Sequence, residues 1–176
     1  MESKVQKSFV KQYATILKSV ARILFGLVWL IDAFFKFQPD FAKSLPDLIQ
    51  EGAASQPSWL NGWFSFWVTT TKMNTAFWAF LIAFTELGLA ICLIFGFMRK
   101  IGYLVGILTS LVIWSVPEGF GGPYGPTSTD IGTGIIYALV FLFLIIINSL
   151  EGPSKYSIDF FIEQRIAWWR KVAEFS

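Results

Sequence analysis

The chain has 176 residues, 55% hydrophobic and 18% aromatic, with a mean hydropathy of +0.58; such a balance suits lipid as solvent and predicts no soluble catalytic domain. The net charge of +2 and pI near 8.7 are modest, and the basic residues gather in the N-terminal arm, one turn and the tail, so nucleic acid is not an expected partner. With no histidine and a single cysteine, Cys92, the chain by itself excludes a His-ligated haem, a His-built copper or zinc centre, a Ser-His-Asp triad and an intramolecular disulfide.

The fold class predicted is an all-α integral membrane bundle of four helices, residues 1–150, followed by a cytoplasmic amphipathic tail, residues 151–176. Lys4, Lys7 and Lys11 precede the first apolar run, as in a secretory leader. That run continues over about residues 16–37, too long for a leader, and no small-x-small site precedes Lys36, so it reads as the first span. Residues 38–74 form a long connection in which Trp59, Trp63, Phe66 and Trp67 recur at three- and four-residue spacing, predicting an outer interfacial helix. This stripe fits an aromatic anchor or a ligand-stacking surface. The second span covers about residues 75–97, near the 20 or so that a bilayer core requires, and contains Cys92 as a small core residue. After Met98-Arg99-Lys100 a short third span covers about residues 101–116, closed by Pro117 and a glycine-rich stretch. The fourth span covers about residues 131–148. Apolar runs without alternation are helices rather than strands of a barrel. In the tail, Ile158, Phe161, Ile162, Ile166, Trp169 and Val172 share one helical face, with Arg165, Arg170 and Lys171 nearby, predicting one amphipathic surface helix.

Basic residues orient the bundle. Lys4, Lys7, Lys11 and Lys18 lie before or at the start of span one, Arg99 and Lys100 fill the turn between spans two and three, and Lys155, Arg165, Arg170 and Lys171 follow span four, whereas loop 117–130 has none. The expected location is therefore the cell membrane, multi-pass, with both termini cytoplasmic.

Ionisable groups within apolar spans cost about 2.5–3.5 kcal/mol each on the insertion scale, so they are functional candidates. Arg22, Asp32 and Lys36 of span one fall within roughly 80° of one another on the helix surface. Asp32 and Lys36, at i and i+4, have the spacing of a structural ion pair as well as of a site. Glu86 sits near the middle of span two, where it must be neutral, paired or hydrated. Glu118 and Asp130 bracket the glycine-rich loop, and Tyr137 follows Asp130 by about two helical turns. Together Asp32, Lys36, Glu86, Glu118, Asp130 and Tyr137 suggest an outward-opening polar pocket, with Glu86, Asp32 and Lys36 as its reactive groups and Tyr137, Glu118 and Asp130 as cofactor-binding groups. Arg22, nearer the cytoplasmic side, either snorkels or meets a quinone or lipid head. Loop 119–126 permits close backbone approach to a ligand, or simply turns.

Arg22, Gly26 and Lys36, then Glu86-Leu-Gly with Leu93 and Gly96, then Pro117-Glu-Gly-Phe-Gly-Gly-Pro-Tyr and Thr129-Asp-Ile-Gly form an ordered pattern. Over about residues 17–150 it resembles the DoxX/DoxD family, small four-helix membrane proteins that include the DoxD subunit of archaeal thiosulfate:quinone oxidoreductase. The resemblance implies a quinone as cofactor, a DoxA-like partner subunit, and oxidation of thiosulfate to tetrathionate with electrons passing to quinone. The alternative is a non-catalytic subunit of a larger respiratory complex, in which the polar residues lock helices or bind lipid.

Overall fold

The computed structural model describes residues 2–54, 56–122, 124, 130–152 and 154–175. Pro123, Gly125, Pro126 and Thr129 of the glycine-rich motif, and the side chains of Lys4, Lys7 and Lys11, lie outside the described residues. The protein is all-helical, with no strand among the described residues. The helices are α1 (Glu2–Lys36), α2 (Pro39–Ala53), α3 (Asn61–Met73), α4 (Thr75–Phe95), α5 (Arg99–Ser115), α6 (Thr133–Glu151), α7 (Ile158–Glu163) and α8 (Arg170–Ala173). Short 3-10 turns stand at Ser58–Leu60, Gly119–Gly121 and Ala167–Trp169.

The four apolar runs are α1, α4, α5 and α6. Three segments are long and apolar enough to cross a membrane: Gln12–Lys36, Thr75–Phe95 and Thr133–Leu150. At 17 residues α5 rises only about 25 Å, a few ångströms under a hydrocarbon core of about 30 Å. Local chemistry sets the boundaries. Asn74 ends α3 and caps α4, its Oδ1 accepting from the Phe77 amide at 3.0 Å. Gly96, at φ 63°, ends α4 in the left-handed conformation, and the Phe97 amide donates back to Cys92 O.

Two tight helix pairs, α1 with α4 and α5 with α6, make up the bundle. Small residues permit the approach: a Cβ on Gly26 would meet Ile94 and Leu93 at 2.8–2.9 Å, and one on Gly134 would meet backbone atoms of Ser110 and Trp114 at 2.6–2.7 Å. Phe25, Trp29, Leu89, Leu93, Tyr103 and Phe141 fill the centre with rings and branched chains from all four helices. Outside, Leu24, Phe34, Phe80, Leu108, Leu139 and Phe143 are exposed. An apolar exterior of that extent is unlike the surface of a water-soluble monomer.

Two regions depart from the sequence expectation. The single outer helix resolves into a hairpin, α2 and α3, whose Leu45, Ile49, Leu60 and Phe64 pack with Val116 at the Lys36 end of the bundle. The apolar positions of α2 recur at helical spacing, but Pro39 and Pro46 punctuate them; Pro39 starts the helix, where a proline amide is not missed. The tail is not one amphipathic helix: α7, a 3-10 turn and α8 fold back over the Arg99 end, burying Ser154, Ser157, Asp159, Ala173 and Glu174 rather than an apolar stripe. Lys18 Nζ donates to Gly152 O at 2.8 Å, Ser19 and Ser154 hydroxyls lie 2.6 Å apart, and Arg22 reaches Tyr156 O at 2.7 Å, so polar groups on α1 fasten the tail where it leaves α6.

Candidate functional site

The buried face of α4 reads Ala79, Ala83, Glu86, Leu89, Ala90 and Leu93, at helical spacing. Glu86 thus occupies an inward position that its neighbours fill with apolar groups, and it is 1% exposed. It lines a cavity of about 360 Å³ whose walls come from α2, α3, α4 and α5, with Lys36 contributed by α1. Leu45, Ile49, Ile82 and Val112 make most of the wall apolar, while Trp67 and Trp78 present rings. The polar groups are few: Lys36, Thr71, Thr85, Glu86, Thr109 and the two indoles. Trp78 Nε1 is committed to Thr70 O at 3.0 Å, and Thr71 Oγ1 to Trp67 O at 2.7 Å. In contrast, Glu86 Oε2 and Trp67 Nε1 are buried with no hydrogen-bond partner among the described residues, as are Trp29 Nε1 and Ser110 Oγ away from the cavity. Buried polar atoms are nearly always paired, so an acceptor and a donor left over at one cavity are suited to a ligand with polar atoms.

The sequence-predicted residues divide into four groups. Glu86 and Lys36 meet in this cavity. Lys36 Nζ lies 5.1 Å from the centre of the Phe41 ring and forms no ion pair with Asp32, so the i, i+4 pair is absent. Asp32 turns instead to Tyr137, whose hydroxyl donates to Oδ2 at 3.5 Å, the outer limit of a hydrogen bond, while its ring packs on Phe25 and Trp29. Neither Asp32 nor Tyr137 lines the cavity.

Glu118 and Asp130 serve the start of α6. Glu118 Oε2 accepts from the Gly134 amide at 2.9 Å, and Asp130 Oδ1 from the Gly132 amide at 2.8 Å. Two acids around a loop free of lysine and arginine therefore have a structural reason: they satisfy amides and oppose the positive end of the helix dipole. Arg22 stands about 21 Å from Lys36 along α1, at 1.5 Å per residue. Its guanidinium donates to the carbonyls of Leu93, Ile94 and Tyr156, closing the C-terminal end of α4. The one outward pocket expected from six polar residues is thus a mainly apolar cavity holding two of them. Sequence reasoning missed the α2 wall and Thr71, which repeats one turn after Trp67 and so continues the aromatic stripe.

A second polar cluster, also missed, lies at the Arg99 end. Arg99 is 1% exposed. Its Nε donates to Asp159 Oδ2 at 3.0 Å, Nη2 to Glu163 Oε1 at 3.3 Å and to Glu174 Oε1, and Nη1 to Asn148 Oδ1 at 3.3 Å. Asp159 also accepts from the Met98 and Arg99 amides and from Trp169 Nε1, at 2.8–3.0 Å. Three carboxyls around one guanidinium leave an excess of negative charge. Glu163 is pushed up to about 7 by burial first, and next by Glu174, with which it shares a hydrogen bond; Arg99 only partly opposes this. In this range the folded protein binds more protons than the unfolded chain, so stability decreases as pH rises. The contribution is fully present below Glu163's ordinary 4.5 and is lost as pH rises through about 7. We expect the thermal midpoint in neutral detergent to decline across that window, and Glu163→Gln to flatten the decline. An unchanged slope in the variant would place the titration elsewhere.

No protein-family model matches the chain, and no curated protein or solved structure shows significant similarity to it.

Proposed function

We propose that the chain is a multi-pass membrane protein, with α1, α4, α5 and α6 as its four spans and both termini cytoplasmic, and that it is the quinone-binding subunit of a membrane oxidoreductase. The observation that carries this reading is the Glu86 cavity: about 360 Å³, walled by apolar and indole groups, with an unpartnered carboxylate oxygen and Lys36 on its lining. Its volume and its sparse polar lining match sites for amphipathic small molecules. A quinone supplies reversible two-electron, two-proton chemistry when bound. Trp67 and Trp78 offer faces for a flat ring, Lys36 a cation for an oxygen, and Glu86 a carboxyl that exchanges a proton with an oxygen it contacts. With no histidine and one cysteine, the chain relies on a partner subunit as electron source. The DoxX/DoxD resemblance points to the same class, with thiosulfate as the donor held by that partner.

Titrating decylubiquinone into the purified protein should quench tryptophan fluorescence saturably, through Trp67 and Trp78. Glu86→Leu should weaken binding at least about 10-fold, or roughly 1.4 kcal/mol, the size expected for one hydrogen bond to a charged group. Ile82→Trp, which adds a ring at a half-buried position of the cavity wall, should abolish it. Wild-type affinity in both variants would sink the assignment and favour a purely structural subunit.

A further inference from the structure

We propose that the folded tail, residues 155–171, is a docking surface for the anionic headgroups of the membrane leaflet beside it. The argument starts from how the tail sorts its charges. Asp159, Glu163 and Glu174 all point inward to Arg99, at 0%, 6% and 3% exposure. Lys155, Arg165, Arg170 and Lys171 are all exposed, and none of the four forms an ion pair among the described residues. From residue 155 to 176 the tail carries four basic and three acidic residues, yet among its described side chains only the basic ones face outward.

Between those cations the tail exposes Ile158, Phe161, Ile166 and Trp168, the two aromatics at 60%. Apolar rings beside lysines and arginines, with the acids withdrawn, fit the boundary between acyl chains and acidic headgroups. A protein partner of acidic surface would complement the cations but not this many exposed apolar side chains. The surface is also held in place. Arg22, Lys18 and Ser19 fasten its beginning to α1, and the Arg99 cluster fastens α7 and Glu174 to α5.

This inference rests on the membrane-spanning part of the proposed function and is independent of the cavity. The test offers the intact protein, in neutral detergent, an equimolar mixture of phosphatidylglycerol and phosphatidylcholine, and counts retained lipids by native mass spectrometry. We expect phosphatidylglycerol to be enriched about 5-fold or more, less so at high salt, as expected for several basic residues near an anionic surface. Replacing Lys155, Arg165, Arg170 and Lys171 by Gln should bring the ratio to parity, whereas Arg165→Lys with Arg170→Lys should keep the enrichment; all four sites are exposed, so folding is preserved. Parity in the wild type overturns the inference and leaves the face to a protein partner. Enrichment that survives the fourfold Gln replacement overturns it as well. Release of the protein from membranes by alkaline carbonate would instead overturn the membrane reading on which it stands.

Discussion

Arg99→Met should destabilise the protein by about 3–5 kcal/mol, the usual cost of removing one partner from a buried ion pair. The guanidinium touches three carboxyls and Asn148 from a position that is 1% exposed, so no solvent ion replaces it without opening the structure. Asp159 retains the Met98 and Arg99 amides and the Trp169 indole. Glu163 and Glu174 would face each other with Asn148 Nδ2, which donates to Glu174 Oε2 at 2.8 Å, as the remaining donor. The damage should therefore begin at α8 and spread toward α7. Thermal unfolding in detergent measures the loss, and limited trypsin digestion at Arg165 and Arg170 reports release of the tail. Adding Glu163→Gln and Glu174→Gln to the Arg99→Met protein should recover a large part of the stability, because the neutral amides do not repel. An Arg99→Met protein that melts with the wild type and keeps its tail protected would show that the cluster does not hold the tail.

Gly134→Val should be strongly damaging at the α5–α6 contact. The first added carbon already meets the Ser110 carbonyl oxygen and the Trp114 amide nitrogen at 2.6–2.7 Å. Both are backbone atoms, so no side chain can swing aside and the two helices must separate. Overpacking typically costs about 1–3 kcal/mol, and a helix pair forced apart belongs at the upper end. Gly88 is the matched control: it lies within α4, yet an added Cβ meets nothing within 4 Å. Gly88→Ala should be neutral or should stabilise by about 0.5–1 kcal/mol through lower helix entropy cost. Equal losses at the two glycines would mean that the α5–α6 approach is not what Gly134 serves.

Hydropathy alone located the four long helices, because apolar runs of about 16 residues or more with no alternation are too long for strands. It also singled out Glu86, since a carboxyl in such a run stands out whatever surrounds it, and Lys36, which ends the first run. The aromatic spacing marked Trp67 and the start of α3. These are properties of single segments, read from residues a few positions apart.

What the tertiary structure decided were the partners of the charges. Glu118 and Asp130 look like site residues in a loop without lysine or arginine, and only the fold brings them to the amides of Gly134 and Gly132. Asp32 and Lys36 have ion-pair spacing, yet Asp32 turns to Tyr137 and Lys36 to Phe41. Arg22 finds its acceptors 71, 72 and 134 positions away. The tail reads as an apolar stripe with basic neighbours, but Arg99, 60 to 75 positions distant, collects its acids and breaks the stripe into short helices. Periodicity reports which side chains avoid water. In a bundle that also exposes many large apolar side chains, it does not report which buried charge another will find, because that depends on contacts across helices.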